Sequence, residues 1–144
     1  MKYVGFDREE EAEKWARNKL ELPTAPEFFR AAAAVDKAGE FVCVVVMTNF
    51  TPRNVDLNIV IDKTKVRPKE TIVMFNEVFG FLFNKLKVAR VTGLLRGKNF
   101  DSFRITEQFG FKLEGVMRKA FPDDDLYIYG FLAEEYHAHA WHRG

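Results

Sequence analysis

The chain has 144 residues, of which 47% are hydrophobic and 30% charged, and its 22 Lys and Arg residues nearly balance 21 Asp and Glu residues. This length suits one domain, and the apolar content excludes intrinsic disorder as the main state. A net charge of +1 provides no electrostatic argument for a nucleic-acid or membrane-surface partner.

Cys43 is the single cysteine, and it lies in the apolar run 41–47. An intrachain disulfide is therefore impossible, and a buried, inert thiol is the favoured interpretation. Residues 1–8 do not have the pattern of a signal peptide, and the longest apolar run is far too short for a membrane span. The sequence predicts a cytoplasmic protein in a reducing environment.

In the N-terminal part, a short strand is predicted at 2–6, followed by a helix that Asp7 caps and that ends before Pro23. Residues 28–35 and 41–47 are predicted to form a β-hairpin, although the alanines in the first segment also have good helix propensity. The second of these strands is apolar on both faces, which places it centrally in a covered sheet.

The following segments continue the alternation of strands and helices. The strand at 55–61 turns Asp56 and Asn58 to one face, and a long amphipathic helix begins at Pro68. Further along, a strand is predicted at 88–95, a helix at 100–109, and two strands at 111–120 and 126–132. In the strand at 111–120, Phe111 and Leu113 are expected to face inward. The order β, α, β, β, β, α, β, α, β, β predicts a mixed α/β sheet with helices on its faces.

Residues 99–118 carry the most specific pattern in the chain. Gly110 is a helix stop, whereas Asn99 and Ser102, at a strand-to-helix junction, either cap the helix or present hydrogen bonds to a ligand at its N-terminus. The segment resembles the signature N-x-x-S-x-R-x-x-E-x-x-G-F-x-x-E-G-x-x-R of the GNAT acetyltransferases, in particular the branch that acetylates N-terminal amines of proteins. Residues 125–136 look like the closing strand and helix of that branch, and the resemblance covers about residues 28–136.

This resemblance implies the GNAT (acyl-CoA N-acyltransferase) fold, a mixed, mostly antiparallel sheet with splayed central strands and flanking helices. It also implies acetyl-CoA as cosubstrate, no metal, and direct transfer of the acetyl group to a primary amine in a ternary complex. By resemblance, Asn99, Ser102 and Arg104 lie beside the pantetheine arm. The backbone N–H near Val60 and Ile61 would polarise the thioester carbonyl.

The segment 62–71 lies where the family carries a glycine loop that binds the coenzyme pyrophosphate. Counted back from the long helix, the two family glycines fall on Arg67 and Lys69, and Pro68 removes one N–H donor. In one reading, Lys65, Arg67 and Lys69 replace the lost backbone donors with side-chain charge, in a coenzyme-binding segment that includes Glu70. In a second reading, coenzyme binding is lost, and in a third the basic run is a solvated loop.

Acyl transfer to an amine needs a base, an oxyanion donor and an acid for the leaving thiolate. Asp56 falls where the family branch often has a strand acid, so it is the candidate base, directly or through water; an ordinary surface acid is the alternative. The family's proton-donating Tyr corresponds to Thr106 here, and the resemblance proposes Ser102 as its substitute.

The acceptor amine, on a protein N-terminus or a small molecule, cannot be read from the sequence. We expect a single GNAT domain over residues 1–144 with a shortened N-terminal region, which either leaves the acceptor site open to a polypeptide or needs a second subunit in a homodimer. The histidines His137, His139 and His142 are interpreted as a solvated tail rather than a metal site. The rival hypothesis is a non-catalytic binding or structural protein that retains the fold.

Overall fold

A computed structural model describes residues 1–20, 27–99 and 101–138. The strands are β1 (Lys2–Gly5), β2 (Arg30–Val35), β3 (Phe41–Thr48), β4 (Asn54–Ile61), β5 (Arg90–Arg96), β6 (Lys112–Phe121) and β7 (Asp124–Leu132). The helices are α1 (Glu9–Lys19), α2 (Ile72–Phe79), α3 (Asp101–Gln108) and α4 (Ala133–Ala138). The predicted order of strands and helices is confirmed.

The seven strands form one sheet in the order β1-β2-β3-β4-β5-β7-β6. Every neighbouring pair is antiparallel except β4 and β5, which are parallel. The sheet is therefore mixed and mostly antiparallel, as predicted. Its two halves, β1 to β4 and β5 to β6, are joined only through the parallel pair.

Helices cover the two faces of the sheet unequally. On one side, called the α2 face, α2 and α3 lie over a core that includes Leu57, Val91 and Phe131. On the other side, called the α1 face, α1 packs Ala12 and Ala16 over β2 and β3. Because α1 lies over β2 and β3, the α1 face of β5, β7 and β6 stays largely half-exposed.

The centre of the α2 face is a cluster of aromatic rings around Phe79, which is fully buried. Its ring lies 5.6 to 6.4 Å from five other phenylalanine rings, those of Phe75, Phe83, Phe109, Phe111 and Phe131. These rings come from α2, the segment directly after α2, the segment after α3, and β7. The high phenylalanine content of the chain is thus used to pack α2 and α3 on the sheet.

The long predicted helix has three parts. A 3-10 turn, Pro68–Thr71, leads into α2, and a π-helical segment, Gly80–Lys85, continues it. The wide turn is visible in the hydrogen bond from the Leu86 N–H to the Phe81 carbonyl, 2.9 Å long. It allows Phe81 to reach Phe6 of the N-terminal segment while Leu82 and Phe83 stay in the core.

Two local predictions are wrong. Asp7 does not cap α1: its N–H bonds to the Val4 carbonyl in the turn after β1, and Arg8 stands at the N-cap position without a side-chain cap. Leu113 is not buried but 51% exposed, because β6 is the edge strand of the sheet. Periodicity identified the strand in the sequence, but it does not indicate whether a helix covers the residue.

The helix α1 ends at Lys19, before Pro23 as predicted. The side chain of Asn99, and residues His139 and His142, lie outside the described part of the chain. In the described part of the chain, no cluster of three or more His, Cys, Asp or Glu residues is arranged to hold a metal ion. None of the helices in these ranges is both long and apolar enough to cross a membrane.

We predict that Phe79→Ala lowers the free energy of unfolding by about 3–5 kcal/mol, since it removes the ring at the centre of the aromatic cluster. Chemical denaturation measures this change. Val73→Ala on the same helix is the control, because Val73 is 65% exposed and should change stability by less than about 1 kcal/mol. An equal effect of the two substitutions would contradict this account of the core.

We also predict that Cys43 does not react with a water-soluble disulfide reagent in the folded protein. Its thiol is completely buried in β3, and burial raises its pKa to about 12, so that almost no thiolate is present at neutral pH. Counting accessible thiols before and after addition of denaturant measures this. Rapid labelling of the native protein would show that β3 is more accessible than its packing indicates.

Candidate functional site

The candidate site begins where the parallel strands β4 and β5 separate. Their residues pair from Asn54 with Arg90 to Asn58 with Leu94. Beyond this point β4 remains paired with β3 as far as Ile61, and β5 remains paired with β7 as far as Arg96. The two strands therefore diverge and leave a cleft between them.

Each diverging strand leads to the start of a helix. The segment after β4 enters the turn Pro68–Thr71 and α2, and β5 leads through a second 3-10 turn, Gly97–Asn99, to α3. The Pro68–Thr71 turn and α3 contact each other on the α2 face. Because β4 and β5 are parallel, both helices follow strand ends at the same edge of the sheet, and the positive end of a helix dipole favours an anionic group.

The N–H and C=O groups of successive β4 residues point alternately to its two neighbouring strands, β3 and β5. The Arg53 carbonyl accepts hydrogen bonds from the N–H groups of Ala89 and Arg90 just before β5, whereas the Asp62 N–H donates to Val42 of β3. By this alternation the Val60 N–H is directed to β3 and the Ile61 N–H to the cleft. The donor predicted near these two residues is thus the one on Ile61.

Asp62 accepts the hydrogen bonds that hold the loop after β4 in its conformation. Its carboxylate accepts hydrogen bonds from the N–H and hydroxyl of Thr64, at 3.0 and 2.6 Å, and its carbonyl accepts from the N–H groups of Lys65 and Val66. The Thr64 hydroxyl, together with its N–H and nearby lysines, lowers the pKa of this carboxyl. Val66 is buried in the core and anchors the loop.

Residues at the start of the following helix also bond to one another. The Glu70 N–H bonds to the Arg67 carbonyl, and the two side chains form an ion pair at 3.5 Å. None of residues 62–71 has a positive φ. The backbone here does not form an open nest of N–H groups; instead the side chains of Lys65, Arg67 and Lys69 are exposed around the helix start. A diphosphate would fit this loop through side-chain charge.

The start of α3 contains the other predicted coenzyme contacts. Ser102 is half-buried in the first turn, and its carbonyl accepts a 2.7 Å hydrogen bond from the Thr106 hydroxyl. Thr106 itself is buried, so its hydroxyl is committed within the helix. Arg104 is exposed. Asn99 ends the preceding 3-10 turn, and its side chain is outside the described part.

Asp56 lies on the α1 face and is held by two amides. Its carboxylate oxygens accept hydrogen bonds from Nδ2 of Asn49 at 2.8 Å and from Nδ2 of Asn54 at 3.0 Å. Each carboxylate oxygen has a further lone pair with which to accept a proton. Asp56 and Asn58, the last paired β4 residue, share this face about 7 Å apart along the strand. A water molecule between Asp56 and the cleft would connect the carboxylate to a group in the cleft.

The same network continues across the sheet. The Thr92 hydroxyl donates to Oδ1 of Asn54 at 2.7 Å and accepts from Nε of Arg90 at 3.2 Å. Arg90 forms an ion pair with Glu114 of the edge strand at 2.7 Å. The network therefore connects Asp56 to two strands of the C-terminal half, β5 and β6.

A small cavity opens at the separation of β4 and β5 on the α1 face. Its volume is about 30 Å³, and it is lined by Leu20, Asn58, Ile59, Leu94, Arg96, Phe121 and Leu126. The Arg96 side chain is 13% exposed. Sequence reasoning did not select this residue, since an arginine in an alternating strand is typical of a solvated face.

Two tyrosines on β7 lie near α3 on the α2 face. The Tyr129 hydroxyl donates to Glu107 at 3.0 Å, and burial together with this carboxylate raises its pKa to about 12. The Tyr127 ring packs 4.8 Å from Phe103 and contacts the region of Gly97. Tyr127 is thus a second hydroxyl beside the start of α3 that the sequence did not single out.

The sheet order, the single parallel pair that diverges, and the two helices starting at that divergence define the GNAT acetyltransferase fold, and the chain has this fold. A chimera of the spermidine N-acetyltransferase SpeG from Vibrio cholerae and hSSAT matches with a TM-score of 0.70 and 14% identity over 94% of this chain and 99% of that one. The N-terminal domain of a ribosomal-protein-alanine acetyltransferase from Clostridium acetobutylicum matches with a TM-score of 0.64 and 18% identity over 76% and 88%.

A GNAT-family acetyltransferase from Bacillus anthracis is also similar, with a TM-score of 0.60 and 18% identity over 72% of this chain and 66% of that one. No protein-family model and no curated protein sequence matches the chain. At these identities the likeness establishes the fold, and the activity must be argued from the chain's own residues.

Proposed function

We propose that the protein is an N-acetyltransferase that transfers an acetyl group from acetyl-CoA to a primary amine in a ternary complex. The observation that carries this proposal is the cleft between β4 and β5 with two helix starts beside it. The GNAT fold of the chain and the acetyltransferase structures that share it support the same reaction class.

Coenzyme binding is assigned to the two helix starts. Lys65, Arg67 and Lys69 would hold the diphosphate by charge, and Asn99, Ser102 and Arg104 would line the arm that enters the cleft. The ion pair between Arg67 and Glu70 competes for part of this charge. Acetyl-CoA supplies an acetyl group that is already activated as a thioester.

The catalytic roles are distributed over two strands, β4 and β7, and one helix, α3. The Ile61 N–H, directed to the cleft next to Val60, is positioned to donate to the acetyl carbonyl oxygen. Asp56 takes the proton of the amine through a water as the new C–N bond forms. Ser102 in α3 is proposed to return a proton to the departing sulfur, with the Tyr127 hydroxyl as the alternative donor.

We predict that acetyl-CoA binds the purified protein and that charge in the loop after β4 carries much of the affinity. The triple substitution of Lys65, Arg67 and Lys69 by Ala should weaken binding at least about tenfold and reduce its dependence on salt. Calorimetric titration at two salt concentrations measures both effects. Lys37→Ala in the turn between β2 and β3 is the control and should leave affinity unchanged.

The hydrogen bonds within the loop 62–71 favour one alternative, a GNAT-fold protein that does not use the coenzyme. The N–H groups of Thr64, Lys65, Val66 and Glu70 bond within the loop, and Arg67, Pro68 and Lys69 occupy the positions of a glycine-rich nest. No heat and no thermal shift with millimolar acetyl-CoA would establish this alternative and end the enzyme proposal.

We predict that Asp56→Asn lowers the rate of acetyl transfer about a hundredfold or more while coenzyme affinity stays unchanged, because asparagine cannot accept the amine proton. Glu10→Gln is the control: it removes an exposed carboxylate from the first turn of α1, outside the network that holds Asp56. Steady-state kinetics and calorimetry separate the two quantities. Unchanged turnover of the Asp56 variant would remove this residue from the mechanism.

A further inference from the structure

An open groove lies beside Asp56, at the end of the sheet where β3 turns into β4. It is lined by Glu27, Phe28, Phe29, Asn49 and Phe50, and its volume is about 400 Å³. Small-molecule sites typically have volumes of about 300–1,000 Å³, so the groove has room for a ligand. The residues assigned to acetyl-CoA are not among those that line it.

Asn49 connects the groove to the candidate base. It lines the groove, and its Nδ2 donates a 2.8 Å hydrogen bond to Asp56. Asn58, where the cleft between β4 and β5 begins, lies two residues beyond Asp56 on β4, about 7 Å along the strand. Asp56 therefore stands between the groove and the cleft, and a ligand bound in the groove can extend past Asp56 to the cleft.

The walls of the groove are aromatic and acidic. The Phe29 and Phe50 rings stack with their centroids 4.3 Å apart and their planes within 8°, and these residues are 38% and 37% exposed. Glu27 is exposed and forms no ion pair within the described ranges, and none of the described lining residues is basic. A carboxylate and aromatic faces both attract positive charge, so the groove favours an organic cation.

Elsewhere the same combination of a carboxylate and a phenylalanine ring holds an arginine. Three arginine Cζ atoms lie 3.8 to 4.3 Å from a ring centroid, and each of these arginines has a carboxylate oxygen at 2.8 to 3.5 Å. They are Arg8 over Phe41, Arg30 over Phe6 and Arg96 over Phe121. A planar guanidinium can stack on a ring while it donates two hydrogen bonds to a carboxylate, whereas an ammonium is a compact point charge. The groove offers the carboxylate and the rings, but in the part of the chain that the structure describes no arginine lies over them.

We propose that the groove is an acceptor subsite for a guanidinium group, so that the amine which the protein acetylates belongs to a molecule that also carries a guanidinium. This inference rests on the proposed acetyl transfer and adds the acceptor class. The Glu27 carboxylate accepts hydrogen bonds from the guanidinium, whose plane stacks on the outer face of the Phe29 and Phe50 pair. The amine at the other end of the molecule then lies beside Asp56, which takes its proton.

The direct test is an NMR titration of the wild-type protein labelled with ¹³C in its phenylalanine rings. Agmatine, which has a primary amine and a guanidinium, should shift the Phe29 and Phe50 resonances to saturation. 1,4-Diaminobutane has an ammonium in place of the guanidinium, and pentylamine has no second cation, so each should bind at least about threefold more weakly. The buried Phe79 ring is the internal control and should keep its resonances.

Two variants separate the charge from the rings. Glu27→Gln removes the carboxylate at constant size, and Phe50→Leu removes an aromatic face but stays apolar. Each should weaken agmatine binding at least about threefold relative to pentylamine binding in calorimetric titrations. Glu134→Gln, which removes an exposed carboxylate from α4, is the control and should leave this ratio unchanged. Circular dichroism checks that the variants fold, and the NMR titration needs none of them.

A guanidinium belongs either to a small molecule or to an arginine side chain of a protein, and two further probes distinguish these sources. Butylguanidine and acetyl-arginine amide both lack a free amine, but only the second has a peptide backbone. A response of the Phe29 and Phe50 rings to both probes supports the inference with a protein side chain as the source. A response to butylguanidine alone supports it with a small molecule.

The possible results are distinct. Phe29 and Phe50 resonances that agmatine does not move, or that 1,4-diaminobutane moves equally, overturn the inference. A selective response to agmatine without acetylation of any amine overturns the proposed function but supports guanidinium binding in the groove. Acetylation of simple amines with a kcat/KM for agmatine no higher than that for pentylamine supports the function and overturns the inference.

Discussion

The parallel pairing of β4 with β5 joins the two halves of the sheet, and the candidate site depends on where that pairing stops. Below Asn58 and Leu94 the strands share backbone hydrogen bonds, and above these residues each strand keeps only its outer partner. Both strands stay supported while backbone groups between them become available to a ligand. Since the strands are parallel, both lead to helices from the same edge of the sheet, and both helices pack on one face.

The distribution of charge around this cleft differs between the two faces. Before α2, three exposed cations, Lys65, Arg67 and Lys69, lie on a loop in which several N–H groups are already bonded. On the α1 face, cations and acids are paired, as in Arg90 with Glu114 and Arg96 with its two aspartates. The net charge of +1 is therefore a sum of one unbalanced basic loop and a nearly balanced opposite side.

Local patterns predicted most of the fold. The alternation of Val55, Leu57, Ile59 and Ile61 with polar residues identified β4, and the spacing of apolar residues after Pro68 identified the long helix. These patterns depend on the repeat of each element, which is a property of neighbouring residues. They failed at Leu113 and Asp7, where the outcome depends on a distant covering helix or on the hydrogen bonds of a preceding turn.

By itself, the sequence determined the order and type of the elements and identified Asp56 as an acid on β4, and it predicted a coenzyme site at the starts of α2 and α3. Only the tertiary structure showed that several N–H groups of the basic loop, those of Thr64, Lys65, Val66 and Glu70, are bonded within it. It also placed Arg96 in a cavity with Leu20, Asn58 and Phe121, which lie 25 to 76 positions from Arg96 in the chain. The reason is physical: periodicity and capping act over a few residues, whereas burial and hydrogen-bond satisfaction depend on which distant segments the sheet brings together.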